Sequence, residues 1–329
     1  MIKTLYPLLF EDNLYELVWG GTKLKPMKGM PADGKPIGES WEVSNIPGRQ
    51  SIIKNGPLAG RTVGDLIATY GPAFLGEGVW ERYGMQFPLL VKFIDAASSL
   101  SIQVHPNDAL ALERHGKMGK TEMWYVMAAD PGATLLAGFK EQISKEEYER
   151  RVMDGSIVKV LARHNVKPGD VFYIPAGRVH AINGGIVLCE IQQSSDITYR
   201  LFDYRRLGLD GKPRELHTQL AKDAIDFSVQ GNYRTSYEDV QEGATLLVDS
   251  NYFAVNLLST SHLLMRNMKD EGSFVTLSCV KGQAKVRCGM GESILLRECF
   301  SCLIPASVAD YVVESADGNE VKLLESWAR

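Results

Sequence analysis

The chain has 329 residues, a formal net charge of −4 and 45% hydrophobic residues. These values are typical of a soluble globular protein with room for two ordinary domains. Lys and Arg are not concentrated in any basic stretch, which argues against nucleic-acid binding. The apolar start carries Glu11, Asp12 and Glu16 without a small-residue cleavage site, so we predict no signal peptide. No apolar run approaches a membrane span in length, and we predict a cytoplasmic protein without membrane contact.

The five cysteines are an odd number with no export signal, which favours free thiols in a reducing compartment. Cys299 and Cys302 have the spacing of a zinc knuckle. Cys279 and Cys288 are too far apart to form the second close pair that such sites use. We therefore interpret these residues and Cys189 as buried strand cysteines, and a structural zinc site as the weaker alternative.

The first half of the chain alternates short strand patterns with helical ones. Gly and Pro punctuate the first 60 residues, which predicts short strands and loops. Apolar spacing predicts a helix over 62–76, with Thr62 as its N-cap. Strands are predicted over 87–96, 100–108 and 121–129 from their apolar runs and alternation.

The second half contains two predicted helices followed by strands. Ser144 and Glu147 form a capping-box pattern at the start of a helix over 144–156. A helix over 214–228 is predicted to link two domains. From about residue 245 the chain is rich in strand patterns, which favours a mainly β protein.

An internal similarity relates residues 169–182 to residues 291–304 and the segment that follows. Both stretches contain a turn glycine, an alternating strand, an Ile-Pro-Ala step and a returning strand. The similarity predicts two copies of one β-barrel unit, with a few helices. His180 lies five residues after Pro175, whereas Asp310 lies five residues after Pro305, so only the first copy is predicted to bind metal.

Polar residues at matching positions predict a divalent-metal site in the first copy. Gln103 and His105 are two residues apart on a strand, so their side chains point to the same face. Glu122 begins the next long strand, and His180 follows a Pro-Ala-Gly turn. Two imidazoles and a carboxylate suit zinc, with iron, cobalt or manganese as alternatives. The amide oxygen of Gln103 or a water molecule would complete the ligand set.

The pattern G-x5-P-x-G-x2-H, which runs from Gly169 to His180, is typical of cupin β-barrels. Taken singly, His105 and His180 could be core histidines with no ligand role. Together with Glu122 and Gln103 in this order they favour the metal site. The remaining histidines lack partners at useful spacing and are interpreted as surface or structural residues: His115, His164, His217 and His262.

Several motifs resemble those of the type I mannose-6-phosphate isomerases. They are VWGGTKL, GESWEVS, FPLLVKFIDA, LSIQVHPND, GKTEMW, IPAGRVHAI and SSDITYRLFDYRR, between residues 18 and 206. The resemblance implies two cupin-like jelly-roll barrels, a catalytic domain over 1–235 and a metal-free domain over 236–329. It also implies one zinc ion per subunit and interconversion of mannose 6-phosphate and fructose 6-phosphate through a cis-enediol. Only 57 residues separate Glu122 from His180, as expected of the compact bacterial form.

The resemblance also assigns roles to individual residues. It implies metal ligation by Gln103, His105, Glu122 and His180, and a catalytic role for Arg200. It places five further residues at the substrate: Lys92, Ser101, Lys120, Glu190 and Arg206. Arg206 stands where the family has a lysine, which keeps the charge and changes its geometry.

The chemistry expected of these residues leaves the catalytic base open. Arg200 would stabilise negative charge, because a guanidinium with a pKa of about 12.5 or more is a poor base. Glu190 and Lys120 are the candidate bases, and the like charges of a metal and an arginine beside the lysine are expected to lower its pKa. Each could instead be an ion-pair partner. Arg206, with Lys92 and Ser101, is expected to bind the phosphate.

Two other functions stay open at this point. One is an iron-dependent cupin oxygenase, although Gln103 and the Arg200 motif speak against it. The other is a non-enzymatic sugar-binding cupin, which would need no metal ligands. For the isomerase, the expected partner is a small sugar phosphate, without nucleic acid or membrane, and the sequence does not decide the oligomeric state.

Overall fold

The computed structural model describes residues 5–329, which form four antiparallel sheets. The first thirteen strands are β1 (Leu8–Leu9), β2 (Leu14–Gly21), β3 (Ile37–Val43), β4 (Leu89–Ala96), β5 (Ile102–Val104), β6 (Glu122–Ala129), β7 (Thr134–Phe139), β8 (Leu161–Asn165), β9 (Val171–Ile174), β10 (His180–Ile182), β11 (Ile186–Gln193), β12 (Tyr199–Phe202) and β13 (Arg234–Thr235). The others are β14 (Gly243–Asp249), β15 (Phe253–Thr260), β16 (Leu263–Asn267), β17 (Val275–Lys281), β18 (Gln283–Cys288), β19 (Ile294–Arg297), β20 (Ser301–Ile304), β21 (Asp310–Ser315) and β22 (Val321–Ala328).

Short helices connect these strands. The α-helices are α1 (Leu24–Met27), α2 (Val63–Tyr70), α3 (Pro72–Leu75), α4 (Glu77–Tyr83), α5 (Asp108–His115), α6 (Lys145–Asp154) and α7 (Thr218–Ala224). Single 3-10 turns lie at Gly56–Leu58, Ser156–Val160, Lys269–Glu271 and Ala306–Val308. No helix in the described part of the chain is long and apolar enough to cross a membrane.

The N-terminal unit consists of two facing sheets. The larger has the strand order β13-β9-β6-β11-β4-β2-β3, and the smaller has the order β12-β5-β10-β7-β8. Ile94 and Trp124 of the larger sheet share one buried core with Leu135 and Ile182 of the smaller sheet. The candidate site lies beside this core, between the two sheets.

The C-terminal unit repeats this arrangement with a six-stranded sheet and a four-stranded sheet. Their strand orders are β1-β20-β17-β22-β15-β14 and β16-β21-β18-β19. Strand β1 comes from the start of the chain, and Leu8 pairs with Leu303. The predicted mainly β fold with two cupin-like units is confirmed, although the sheets face each other and do not close into continuous barrels. The domain boundary at residues 235 and 236 stays a prediction.

Strand β4 is buried along its whole length because both of its faces are covered. Ile94 belongs to the core between the sheets of the N-terminal unit. Val91 and Phe93 point the other way, into a core that also contains Leu257 and Leu324 of the C-terminal unit. A strand covered on both faces reads as a continuous apolar run, which explains the sequence FPLLVKFIDA.

The predicted helices are present, with different bounds. Helix α2 begins after Thr62, whose side chain forms a capping box with Asp65. The prediction of one continuous helix over 62–76 was wrong. The chain turns at Gly71, where φ is 47°, and α2 and α3 are separate helices. Helix α6 begins after its N-cap Ser144, as predicted.

The predicted helix over 214–228 was wrong in extent, because only Thr218–Ala224 is helical. The preceding residues run beside strand β12 instead. The His217 amide donates to the Arg200 carbonyl at 2.7 Å, and the Arg200 amide donates to His217 Nδ1 at 3.2 Å. These bonds hold the start of the segment in a non-helical conformation.

The internal similarity corresponds to equivalent strands. Strand β9 ends directly before Pro175 and β20 directly before Pro305, and each following strand begins five residues later, at His180 or Asp310. His180 is fully buried, whereas Asp310 is exposed and pairs with Lys269 at 2.6 Å. The second copy therefore has a surface ion pair where the first has a buried imidazole.

Candidate metal centre and active site

The predicted metal ligands His105, Glu122 and His180 come together from both sheets of the N-terminal unit. His105 directly follows β5, and His180 begins β10, which pairs with β5. Glu122 begins β6 in the opposite sheet. One ligand atom from each residue lies within 4.8 Å of the others, and no other such group of His, Cys, Asp or Glu occurs within residues 5–329. The zinc-knuckle alternative therefore has no support in the described chain.

The turn Pro175-Ala176-Gly177 explains why His180 reaches Glu122. It carries the chain from β9 in the larger sheet to β10 in the smaller one. The Gly177 amide donates to the His105 carbonyl at 2.9 Å, which ties the turn to a second ligand residue. Gly177 has a φ of 90°, and a Cβ there would lie 3.0 Å from the Ala224 carbonyl oxygen, so glycine is required.

Hydrogen bonds orient both imidazoles. The Nδ1 atom of His105 lies 2.9 Å from the Ile197 carbonyl oxygen, and that of His180 lies 2.8 Å from the Arg178 carbonyl oxygen. A carbonyl oxygen can only accept, so each Nδ1 carries the proton and each Nε2 keeps its lone pair. The Nε2 atoms face Glu122, at 3.4 Å for His105 and 3.2 Å for His180. This arrangement is typical of histidine metal ligands.

The Glu122 carboxylate lacks the hydrogen bonds that a buried charge needs. Both oxygens are buried, and neither accepts a hydrogen bond of suitable geometry from the described residues. Lys120 Nζ lies 2.8 Å from one of them as an ion pair. A buried carboxylate without donors is costly unless a cation or metal compensates it. The donor set therefore fits a divalent metal ion.

The protonation states also suit a metal. Burial raises the pKa of Glu122. Lys120 and the two imidazoles lower it by more than burial raises it, so the pKa lies well below the usual carboxyl value. Burial, and then the Lys120 charge, lowers the pKa of His105 to about 3. Burial also lowers the pKa of His180. At neutral pH the site thus offers one carboxylate and two neutral imidazoles, which are the metal-binding forms.

Gln103 lies at the same centre. Its side-chain amide nitrogen is 3.2 Å from His180 Nε2. Because the oxygen and nitrogen of a side-chain amide are assigned from their hydrogen bonds, rotation of the amide by 180° would turn its oxygen toward the imidazoles. Gln103 stays a predicted fourth ligand, with water as the alternative.

A cavity of about 210 Å³ opens beside this group. Charged and polar side chains make up most of its wall: Glu39, Arg49, Lys92, Ser101, Gln103, Lys120, Glu190, Asp196, Thr198, Arg200 and Arg214. Six predicted residues thus lie together: Lys92, Ser101, Gln103, Lys120, Glu190 and Arg200. Arg206 does not line this cavity and lies at a neighbouring one of about 300 Å³.

Glu190 and Lys120 differ in their surroundings. Trp124 Nε1 donates to one Glu190 oxygen at 2.9 Å, and Lys92 Nζ lies 3.4 Å from the other. Burial, and then the Glu122 charge, raises the pKa of Glu190. Burial lowers the pKa of Lys120, but Glu122 and Glu190 outweigh it, so the net shift is upward. The lowering of the lysine pKa that is expected beside a metal and an arginine stays a prediction, because the upward shift arises from Glu122 and Glu190 alone.

Arg200 is held from three sides. Its Nε donates to Ser101 Oγ at 3.2 Å, and its Nη1 donates to the Glu215 carbonyl at 2.8 Å. Its backbone amide donates to His217 Nδ1. Burial, and then the charge of Arg214, lowers the pKa of Arg200. The guanidinium therefore lies fixed in the cavity wall.

Sequence reasoning missed two cations of the cavity, Arg49 and Arg214. The Arg49 guanidinium carbon lies 4.6 Å from the ring centre of Tyr15 and 4.8 Å from that of Trp41. Trp41 stands in the motif GESWEVS, but nothing in the loop around Arg49 marks it. Arg214 comes from the segment that was predicted to be helical. Folding alone brings both to the site.

Comparison with known proteins identifies the family. A model described as phosphomannose isomerase type I, catalytic domain, matches residues 9–131. The mannose-6-phosphate isomerase of Streptococcus mutans is 34% identical over 306 residues, which cover 93% of this chain and 94% of that protein. The chain belongs to this isomerase family. Mannose-6-phosphate isomerase ManA of Bacillus subtilis is also similar, at 36% identity over 87% of this chain and 89% of its own.

Solved structures of the isomerase family share the fold. The crystal structure of mannose 6-phosphate isomerase from Bacillus subtilis superposes with a TM-score of 0.87 at 32% identity, and covers 98% of this chain and 99% of its own. The apo enzyme from Salmonella typhimurium gives a TM-score of 0.76 at 17% identity over 99% of this chain, which supports the fold alone. The resemblance inferred from the motifs is confirmed, as is the assignment to the isomerase class of enzymes.

Proposed function

We propose that this protein interconverts mannose 6-phosphate and fructose 6-phosphate in the cavity beside His105, Glu122 and His180. The proposal rests on family membership and on one structural observation. Two neutral imidazoles and a carboxylate without hydrogen-bond donors meet at a cavity that is lined by cations. A cupin oxygenase and a non-enzymatic sugar-binding protein are not favoured by any comparable observation.

Zinc is the metal we propose for this site, with one ion per chain. His105, Glu122 and His180 would hold it, and Gln103 or water would complete the set. The chemistry supplied by a bound zinc ion is polarisation of the sugar carbonyl. Nitrogen and carboxylate ligands suit zinc, and iron, cobalt and manganese also accept such a set.

The reaction moves one proton from C2 of mannose 6-phosphate to C1 and a second proton from O2 to O1. We propose that it passes through a cis-enediol, whose oxygens carry developing negative charge. Arg200 stabilises this charge because its guanidinium is fixed in the cavity wall by Ser101 and the Glu215 carbonyl. It does not act as the base, since it stays protonated at neutral pH.

Glu190 is the better candidate for the base that carries the proton between C2 and C1. One of its oxygens accepts from Trp124, whereas the other has no hydrogen-bond donor of suitable geometry in the described residues. Its raised pKa brings it closer to neutral pH, where a carboxylate exchanges protons most effectively. Lys120 Nζ lies 2.8 Å from a Glu122 oxygen and serves as a cation beside it.

An assay with mannose 6-phosphate tests the proposal, with formation of fructose 6-phosphate followed by a coupled enzyme. The wild-type protein should convert the substrate, and His180→Ala should lose more than about 1,000-fold in turnover because a ligand is missing. His262→Ala is the matched control, since His262 is an exposed histidine of the C-terminal unit. No conversion by the wild type, or undiminished conversion by His180→Ala, would contradict the proposal.

A further inference from the structure

The wall of the cavity beyond β12 is built by a loop over residues 203–217 that is organised around one carboxylate. Asp203 is 4% exposed. Arg206 Nη2 donates to its Oδ1 at 2.6 Å, and Arg214 donates to both oxygens, through Nε at 2.7 Å and Nη2 at 2.6 Å. Two guanidinium groups thus share a single buried carboxylate, whose charge also acts on Arg200.

Lys92 and Lys120, two other cations that line the cavity, each lie beside a carboxylate. Lys92 Nζ lies 3.4 Å from Glu190 and 3.7 Å from Glu39. Lys120 Nζ lies 2.8 Å from Glu122. At the Asp203 end, the next carboxylate is that of Glu215, whose side chain is 84% exposed and therefore screened by water. Three arginines around the one Asp203 carboxylate therefore leave excess positive charge at the end of the cavity where Arg200 and Arg214 lie. Arg49, which also lines the cavity, stacks on Tyr15 and Trp41.

Arg206 and Arg214 hold different positions around Asp203. Arg206 uses Nη1 to donate to the Ser99 carbonyl at 2.6 Å, and it lines only the neighbouring cavity. Arg214 lines both cavities, and it shares the main one with Arg200. Within residues 5–329, all hydrogen bonds of the Arg214 guanidinium go to Asp203, and Nη1 makes none. Among the neighbouring charges, Arg214 is also the one that lowers the pKa of Arg200 most.

We propose that Arg214, oriented by Asp203, binds the phosphate group of the substrate, and that Arg206 fastens the loop without touching the substrate. Asp203 accepts hydrogen bonds from Nε and Nη2 of Arg214, so Nη1 is left to donate to a phosphate oxygen. The three arginines and Asp203 together carry a charge of about +2, which complements a phosphate dianion. This inference rests on the proposed function and replaces the sequence-based expectation that Arg206 binds the phosphate.

Kinetics of three arginine variants test the assignment. Arg214→Met should raise KM for mannose 6-phosphate and the inhibition constant of inorganic phosphate by about 10- to 100-fold each, with kcat within about threefold. Arg214→Lys should recover part of this loss, because it restores the charge without the bidentate grip on Asp203. Arg206→Met should lower the apparent Tm and change KM by less than about threefold. Arg287→Met, at an exposed arginine of β18, is the control.

The inference is overturned if Arg214→Met leaves KM unchanged, or if Arg206→Met raises KM more than Arg214→Met does. If Arg214→Met does not fold, a KM for Arg214→Lys equal to that of the wild type overturns it as well. Calorimetric binding of inorganic phosphate separates this inference from the proposed function. A wild type that binds phosphate but does not isomerise the sugar would contradict the proposed function alone, provided that Arg214→Met abolishes the binding.

Discussion

At the scale of single residues, protonation state and hydrogen bonding distinguish the site from an ordinary polar core. The two imidazoles donate through Nδ1 to backbone carbonyls and point Nε2 at Glu122. Lys120 Nζ also lies 3.1 Å from His105 Nε2, and the Gln103 amide nitrogen lies 3.2 Å from His180 Nε2. What distinguishes the pair from ordinary core histidines is that both converge on a buried carboxylate that accepts no hydrogen bond of suitable geometry within residues 5–329. The structure therefore favours the ligand interpretation of His105 and His180, which the sequence could support only through their spacing.

Arg200→Lys should lower kcat by about 100- to 1,000-fold without changing the bound metal. An ammonium group cannot reach Ser101 Oγ and the Glu215 carbonyl together as the planar guanidinium does. Steady-state kinetics and metal analysis measure the two effects, with Arg287→Lys as the control. Loss of metal from the Arg200→Lys protein would instead make Arg200 a structural residue.

Glu190→Gln and Lys120→Met separate the two candidate bases. Exchange of the C2 proton with solvent should slow by at least about 100-fold in Glu190→Gln, because the amide cannot accept that proton. Lys120→Met should slow the exchange less, since the lysine ammonium is paired with Glu122 at 2.8 Å. Deuterium incorporation followed by NMR gives the exchange rates. The reverse order of rates would assign the base to Lys120.

At the scale of secondary structure, the ligands owe their proximity to the turn between β9 and β10 and to the pairing of β10 with β5. Gly138, in the adjacent strand β7, shows how tightly this sheet is packed. Its φ is 74°, and a Cβ there would lie 2.1 Å from the Tyr233 ring. The Tyr233 hydroxyl donates to the Phe139 carbonyl at 2.8 Å, which limits how far the ring can move.

Gly138→Ala should therefore destabilise the protein by several kcal/mol, more than the cost of backbone conformation alone. Gly132→Ala is the matched control, because Gly132 has a φ of 79° and no atom within 4 Å of its Cβ position. In the Gly132→Ala control, the free energy of unfolding should fall by only about 1–2 kcal/mol. Thermal unfolding of both variants measures the difference, which reports the overlap with Tyr233. Equal losses would show that the ring moves aside freely.

Strand and helix positions were predictable where one strong pattern decided them, as for β4 and for α6 behind Ser144. The segment 214–217 was misassigned, because its helical pattern cannot reveal bonds to Arg200 on a strand that precedes it. The proximity of His105, Glu122 and His180 could be predicted because these residues stand in local motifs. Arg49 and Arg214 could not, since neither is marked by its neighbours and only tertiary structure brings them to the cavity.

At the scale of the whole molecule, buried charges join the two units where their sheets meet. Glu42 accepts the Ser301 amide at 3.1 Å and lies 2.7 Å from Lys28 Nζ, which sits 4.2 Å from the Phe300 ring centre. The Lys28 side chain is 1% exposed. Burial lowers the pKa of Lys28, but Glu42 and Asp12 outweigh it and raise the pKa. The sequence predicted two units, but neither this contact nor the strand Leu8–Leu9 that crosses between them.

Glu42→Gln should destabilise the protein by about 3–5 kcal/mol, because it leaves the Lys28 ammonium buried without its closest carboxylate. The double variant Lys28→Met with Glu42→Gln should recover part of that loss. Glu16→Gln, which breaks the exposed pair with Lys35, should cost about 1 kcal/mol or less. Apparent Tm values give the comparison. Similar Tm changes for Glu42→Gln and Glu16→Gln would contradict a role of the buried pair in joining the units.

The proposed isomerisation requires a metal at His105, Glu122 and His180, and titration of metal-free protein with zinc tests this requirement most directly. Protein stripped with a chelator should not convert mannose 6-phosphate. Activity should return in proportion to added zinc and level off at one equivalent per chain. His180→Ala should not recover under the same conditions. Full activity of the stripped protein, with metal analysis showing less than about one ion per hundred chains, would contradict a metal-dependent reaction at this site.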